Sequence, residues 1–191
     1  YPTGDSDETP RVDPEVPHVI LRGLDVLRWA HGGDGVAVPT DGPLEGVVVF
    51  VPGAVPGDRV SASVVKRKKR FARAEILEVE RPSAGRRVPE CVVQERCGGC
   101  PWMAGDRATQ DLARRAILEG EVRKTLRWTD AQLAERVALA PASGAEYAYR
   151  RRIRLAWRRR GEEVALGYRG RGSHRLVPIS RCEVAEEPIN E

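Results

Sequence analysis

Aromatic residues are scarce, with two Phe, four Trp and four Tyr in a chain of 191. Any core must therefore rest on Val, Leu, Ile and Ala. No apolar run approaches the roughly 18 residues that a membrane-spanning helix requires. There is no basic start followed by an apolar segment, so no secretion signal is read, and a cytoplasmic location is expected. No internal repeat is visible. The first residue is Tyr1 rather than Met, which reads as a trimmed N-terminus. Acids are missing where arginine is dense: residues 147–175 carry ten Arg against two acids, whereas residues 1–17 carry five acids and one Arg. The formal charge of +4 is mild, but its distribution is not. The acidic, Pro-rich start has no apolar period and is expected to be a flexible tail. The arginine block is a basic surface that calls for a polyanionic partner.

After the tail, short stretches of alternating polarity are punctuated by Gly and Pro. "HVILRGLDVLRWA", "VAVP", "EGVVVFV", "RVSASVV" and "ARAEILEVE" read as strands. The third is apolar enough to predict burial on both faces. "HGGDG" and "PGAVPGD" are turns, and "KRKKRF" connects the last two strands. Five short strands of this kind predict a small barrel of OB type over residues 18–81, closed to hide its edges. Residues 82–90 read as a linker. Residues 91–191 then predict a second, α+β domain, so the chain is mainly β with a mixed second half. Asp106 is placed to cap a long helix. Leu112, Ala116, Val122 and Leu126, widened by Ala113 and Ile117, form its predicted apolar stripe. A short helix is expected around "DAQLAERV". In "YRRRIRLAWRRR", Ile153, Leu155 and Trp157 alternate with Arg152, Arg154 and Arg158, which predicts a strand with one packed face and one arginine face. Trp157 is thereby read as core. "VALGYR" and "HRLVPI" are two more strands, and no element is expected after them.

"CVVQERCGGC" puts Cys91, Cys97 and Cys100 within ten residues, and Cys182 is the one cysteine left. Two disulfides are conceivable, but tight clustering without a secretion signal favours a metal. Four thiolates need a positive partner, which an iron–sulfur cubane or one zinc supplies. Gly98 and Gly99 let the backbone pass close to such a centre and direct N–H groups at its sulfurs. Structural zinc sites come more often as two short Cys pairs than as three plus one. Four buried free cysteines are the plainest alternative. Whatever is bound, the remote Cys182 would staple the late strands to the early loop. Trp102, just after the loop, is placed either to shield a metal or simply to pack. "GYRGRG" lacks the strand–helix setting of a nucleotide-binding loop and is not read as one.

"FVPGAVPGDRVSASVV", "CVVQERCGGC", the helix with Gln110, "YRRRIRLAW" and "GYRGRGSHRLVPISRCEV" resemble, in that order, the N-terminal half of the RNA (uracil-5-)-methyltransferases. The resemblance covers residues 18–191. It implies a TRAM barrel over 18–81 and a [4Fe–4S] domain over 91–191, with Cys91, Cys97, Cys100 and Cys182 as cluster ligands and zinc as the second choice. It also implies that the S-adenosylmethionine-binding catalytic domain, with its nucleophilic Cys and carboxylate base, lies beyond this chain. The chain alone is then expected to be inactive, as the RNA-handling portion of an enzyme that makes 5-methyluridine in rRNA or tRNA. Two departures from the family pattern stand out: Pro101–Trp102 follows the CGGC, and "YRRR" stands where Tyr-Arg-Asn is common. A zinc-bound nucleic-acid-binding module with no enzymatic parent is the alternative from another class. A TRAM-bearing radical enzyme ranks last, because its Cys-x3-Cys-x2-Cys loop is absent.

RNA is the expected partner and a monomer the expected state. Lys66, Arg67, Lys68, Lys69 and Arg70 on a barrel connection, and Arg150, Arg151, Arg152, Arg154 and Arg158 on a strand, are the candidate phosphate contacts. Arg159 and Arg160 extend the second group. Phe71, Tyr149 and Tyr168 are candidate stacking residues, with Phe71 first. His174 is read as exposed or satisfied in the core rather than as a phosphate contact.

Overall fold

The computed structural model describes residues 19–138 and 140–191, in two compact units divided between Ala84 and Gly85. The expected acidic tail, residues 1–17, lies outside the described residues.

The first unit contains β1 (Ile20–Trp29), β2 (Gly35–Ala37), β3 (Val48–Val51), β4 (Arg59–Arg67) and β5 (Phe71–Arg81), closed into a barrel in the order β1-β2-β3-β5-β4. All neighbours are antiparallel except β3 and β5, which run parallel. This is the OB-like barrel that the strand spacing predicts. Small and β-branched side chains fill it. Val49, Val51, Val60, Ala62, Ala72 and Ala74 are wholly inaccessible and pack with Leu24, Val26 and Leu44. Each Val or Leu so buried stabilises the fold by about 1.5–3 kcal/mol. β3 differs from expectation. Val49 and Val51 are buried, whereas Val48 and Phe50 are only half-covered, so it alternates as a barrel wall should rather than being buried on both faces. Phe50 meets Phe71 edge-on, with ring centroids 5.8 Å apart.

The turn before β4 is held by a buried carboxylate. Asp58 accepts from the Val55 amide at 2.6 Å and the Ser83 amide at 2.9 Å. It thereby ties the "AVPGD" turn to the chain leaving β5. Beside it, Trp29 is 2% exposed and donates its indole N–H to the Ala54 carbonyl at 2.7 Å.

The second unit contains α1 (Arg107–Leu126), α2 (Asp130–Arg136), β6 (Ala156–Arg160), β7 (Glu163–Arg169), β8 (Leu176–Pro178) and a short α3 (Glu187–Asn190). β6, β7 and β8 form an antiparallel sheet in that order. The caps follow the sequence: Asp106 accepts from the Thr109 amide, and Thr129 with Gln132 forms a capping box at α2. Residues 85–87, expected as linker, are stitched into this unit. Arg86 bridges to Gly105, and the Arg87 amide donates to the Ala104 carbonyl at 2.8 Å.

Three expectations fail here. The apolar stripe of α1 is not a packed face, since Ala113 alone among its residues is buried and Leu112 is 70% exposed. The arginine strand begins only at Ala156, so Ile153 and Leu155 lie in irregular chain, half-buried, and Trp157 is 68% exposed rather than core. Alternation groups residues by face but cannot say which face is covered. The chain also does fold after Cys182, where Val184 and Ala185 are buried and α3 follows.

Asp58→Ala would leave two buried amides without an acceptor. It is expected to destabilise the barrel by about 2–4 kcal/mol, read from urea unfolding followed by tryptophan fluorescence, with Asp58→Asn losing less.

Candidate metal centre

The loop from Cys91 to Cys100 is a series of tight turns. The amides of Arg96 and Cys97 both donate to the Val93 carbonyl, at 3.1 and 2.8 Å, which coils the five-residue arm and turns Cys97 inward. Gln94, the buried polar residue of this arm, donates from Nε2 to the Cys100 carbonyl at 3.3 Å and so braces the Cys97–Cys100 knuckle. Gln110 on α1 donates to the carbonyls of Trp102 and Gly105 at 3.3 and 3.0 Å, which fastens the end of the loop to the helix. The Gly99 amide points at the Cys97 sulfur, 3.4 Å away.

The late strands come to this loop through the main chain. Cys97 bridges to Gly170, the Gly98 amide donates to the Arg169 carbonyl at 3.1 Å, and the Arg171 amide donates to the Arg96 carbonyl at 3.2 Å. A Cβ on Gly98 would stand 3.0 Å from the Arg169 carbonyl oxygen, so a side chain there would crowd the contact. Gly167 has the same role where β7 and β8 pair, since a Cβ there would fall 2.0 Å from the Val177 carbonyl oxygen. "GYRGRG" is therefore a strand end and its turn, with no helix after it.

Cys182 is fixed by a residue that sequence reasoning missed. Asn190 accepts from the Cys182 amide at 2.9 Å and donates to the Cys182 and Ala185 carbonyls at 3.3 and 3.4 Å. Arg181 grips Glu187 through both its terminal nitrogens, at 2.6 and 2.8 Å, which holds α3 against this turn. An Asn eight residues after a Cys carries no signal in a sequence, and neither does Gln94 inside a turn.

As a result Cys91, Cys97, Cys100 and Cys182 all line one cleft of about 420 Å³, counting the space open to solvent. Met103, Ile179 and Val184 make its apolar wall, with Arg150 and Tyr168 on the rim. The Tyr168 hydroxyl lies 3.7 Å from the Cys182 sulfur. Burial pushes the Cys91 thiol up, and pushes Cys100 up to about 11, with the neighbouring sulfurs adding to both shifts and Arg150 opposing the second. Left to themselves these thiols keep their protons at neutral pH, and only a strongly cationic centre would reverse that. Among the described residues no group of three or more His, Cys, Asp or Glu is arranged to hold a metal ion. Trp102 does not line the cleft; its ring lies under Arg114, 6.0 Å from the guanidinium carbon.

The basic candidates are placed in three different settings. Lys66 to Arg70 are exposed at the β4–β5 hairpin, next to Phe71. Arg150 lies at the thiol cleft and over the Tyr149 ring, and Arg151 pairs with Glu186 at 3.1 Å. Arg152, Arg154 and Arg158 are exposed, with no ion-pair partner among the described residues. His174 is exposed.

A closed barrel in this strand order, followed by a thiol-lined unit, defines the class to which the chain belongs. The family model described as the TRAM domain matches residues 24–77, within the barrel. Over most of its length, the chain is 35% identical across 171 residues to the 23S rRNA (uracil(1939)-C(5))-methyltransferase RlmD of Shewanella baltica, a match covering 88% of this chain and 36% of that protein. It is 32% identical over 161 residues to an uncharacterized RNA methyltransferase of Thermosynechococcus vestitus, covering 84% of this chain and 34% of that one. The crystal structure of Pyrococcus abyssi tRNA (uracil-54, C5)-methyltransferase in complex with S-adenosyl-L-homocysteine has the same fold, with a TM-score of 0.54 at 24% identity over 88% of this chain and 34% of that one. Over most of its own length the chain is thus similar to one part of the RNA (uracil-C5-)methyltransferases, the resemblance that its cysteine loop and barrel carry. It spans about a third of the length of the curated relatives it matches.

Gly167→Ala is expected to force β7 and β8 apart, which would move Tyr168 from Cys182 and cost about 2–4 kcal/mol. A drop in melting temperature with loss of near-ultraviolet circular dichroism would register it.

Proposed function

We propose that this chain is the RNA-binding portion of an S-adenosylmethionine-dependent RNA (uracil-5-)-methyltransferase, and that Cys91, Cys97, Cys100 and Cys182 hold a [4Fe–4S] cluster in its second unit. One observation carries the reading: four sulfurs from opposite ends of the unit line a single cleft. The donor set fits the group. All four donors are thiols, their surroundings are largely apolar, and an amide already points at one sulfur, as clusters require. A tetrahedral zinc would draw the sulfurs to about 2.3 Å from one point. A multi-iron body instead spreads its ligands over several metals, and three cysteines in one loop plus one distant fit that better than the two short Cys pairs usual for structural zinc. The cluster supplies cross-linking between the loop and the late strands. The chain's residues do the rest: Gln94 and Asn190 hold the ligand backbones, and the exposed cations of the β4–β5 hairpin and of residues 152–158 attract phosphates. The parent enzyme would methylate C5 of a uridine in rRNA or tRNA, with the donor-binding fold and the nucleophile supplied outside this chain. On that assignment the chain alone is inactive.

Protein purified without oxygen is expected to be brown, with about four iron and four sulfide per chain. Cys182→Ser is expected to lose most of both. A colourless protein holding one zinc would instead favour a non-enzymatic zinc module. RNA affinity should fall steeply as salt rises. Arg152→Ala with Arg154→Ala should weaken binding to all sequences alike and lower the log–log salt slope by about 1.4 on single strands, taking ~0.7 per phosphate contact. Filter binding at several salt concentrations measures both.

A further inference from the structure

The β6–β7 hairpin carries an open face of mixed apolar and basic character. Its register pairs Trp157 with Leu166 and Arg159 with Val164. Residues directly opposite in an antiparallel pair project to the same side, so these four share one face of the sheet. Trp157 is 68% exposed, Val164 59% and Leu166 51%. The other face carries Arg158 opposite Ala165 and Arg160 opposite Glu163. In β6, every residue after Trp157 is arginine.

The ring of Trp157 is both exposed and uncovered, whereas Tyr168 is half-buried at the thiol cleft with its hydroxyl near the Cys182 sulfur. Trp102, Trp128, Tyr147 and Tyr149 each have an arginine guanidinium over the ring, 5.6–6.0 Å from the centroid. Phe50 and Phe71 pack on each other, and Trp29 is buried. Among the described residues, Trp157 has neither a cation nor a ring on its face, although Arg158, Arg159 and Arg160 adjoin it in the chain. An open indole, backed by a leucine across the strand and surrounded by arginine, is matched to a ligand that is flat, apolar on its faces and anionic at its edges. An unpaired nucleotide in RNA has that chemistry. A polyanion fits better than a protein partner, because the residues around this patch carry many arginines and few acids.

We propose that Trp157, supported by Leu166, is a stacking platform for one unpaired RNA base, with Arg159 on the same face and the exposed Arg152 and Arg154 just before the strand holding the phosphates beside it. The assignment rests on the RNA-binding reading and adds to it the recognition of single-stranded rather than duplex RNA.

The test uses this chain with a fluorescently labelled single-stranded RNA and a duplex of the same length, followed by anisotropy. Trp157→Ala should lose roughly 5- to 150-fold in single-strand affinity, the equivalent of 1–3 kcal/mol per stacked base. Duplex affinity should stay within about twofold, and Trp157→Phe should retain most of the binding, because a ring still stacks. The log–log salt slope should not change in Trp157→Ala, since stacking releases no counterions. Because Trp157 is exposed, the melting temperature should also be unaltered. Single-strand affinity unaffected by Trp157→Ala, or an equal loss on both RNAs, overturns the platform while leaving RNA binding intact. Self-association abolished by Trp157→Ala, with RNA affinity unchanged, also overturns it and assigns the face to protein. If the unaltered chain binds neither RNA at any salt, the broader RNA-binding reading falls together with the platform.

Discussion

The second unit depends on a stretch of main-chain pairing between two segments some seventy residues apart. Where Cys97 bridges Gly170 and Gly98 donates to Arg169, the cysteine loop becomes in effect an edge of the β7–β8 turn. That contact sets where Cys97 and Cys100 stand relative to Cys182, and through Tyr168 it sets the rim of the cleft. Gly98 eases it, because a Cβ there would crowd the Arg169 carbonyl oxygen at 3.0 Å. Gln94, Gln110 and Asn190 then fix the backbone on each side, each by adding side-chain bonds to main-chain groups of the turns.

The two units are stabilised by different means. The barrel has a contiguous core of Val, Leu and Ala and rests mainly on its burial. The second unit has few large buried apolar side chains, with Met103, Leu133, Leu176, Val177 and Val184 scattered among its elements. It adds polar stitching instead: Arg87 bonds both the Met103 carbonyl and Glu146, and Arg107 bonds Glu146 and the Gly144 carbonyl. Arg87 and Arg107 hold the Glu146 carboxyl below the usual carboxylate range. Partly exposed pairs of this kind add only modest stability. On the reading proposed above, a cross-link at the thiol cleft would add stability that this scattered core does not supply.

The same economy governs the surface. Arginines that carry structure are paired or stacked, as Arg87, Arg114, Arg136 and Arg181 are. Those left open include Arg152 and Arg154, in the chain leading into β6, and Arg158, next to the exposed Trp157 in that strand. Counting basic residues in the sequence mixes these two populations. The structure separates them, and in doing so moves Arg150 from the basic surface to the cleft.

By itself the sequence determined what depends on near neighbours. Period-two alternation and Gly/Pro turns located the barrel strands, Asp106 marked the start of the long helix, and the cysteine spacing pointed to the loop that lines the cleft, because each of these is a local property of the chain. Only the tertiary structure decided which faces are covered. The same alternation that describes Val49 and Val51 in the barrel wall describes Trp157 on an open sheet, and the helical period that groups Leu112 with Leu126 says nothing of whether anything packs there. It alone brought Asn190 to Cys182 and Gly170 to Cys97, since burial and long-range hydrogen bonds depend on what the remainder of the chain places opposite a residue.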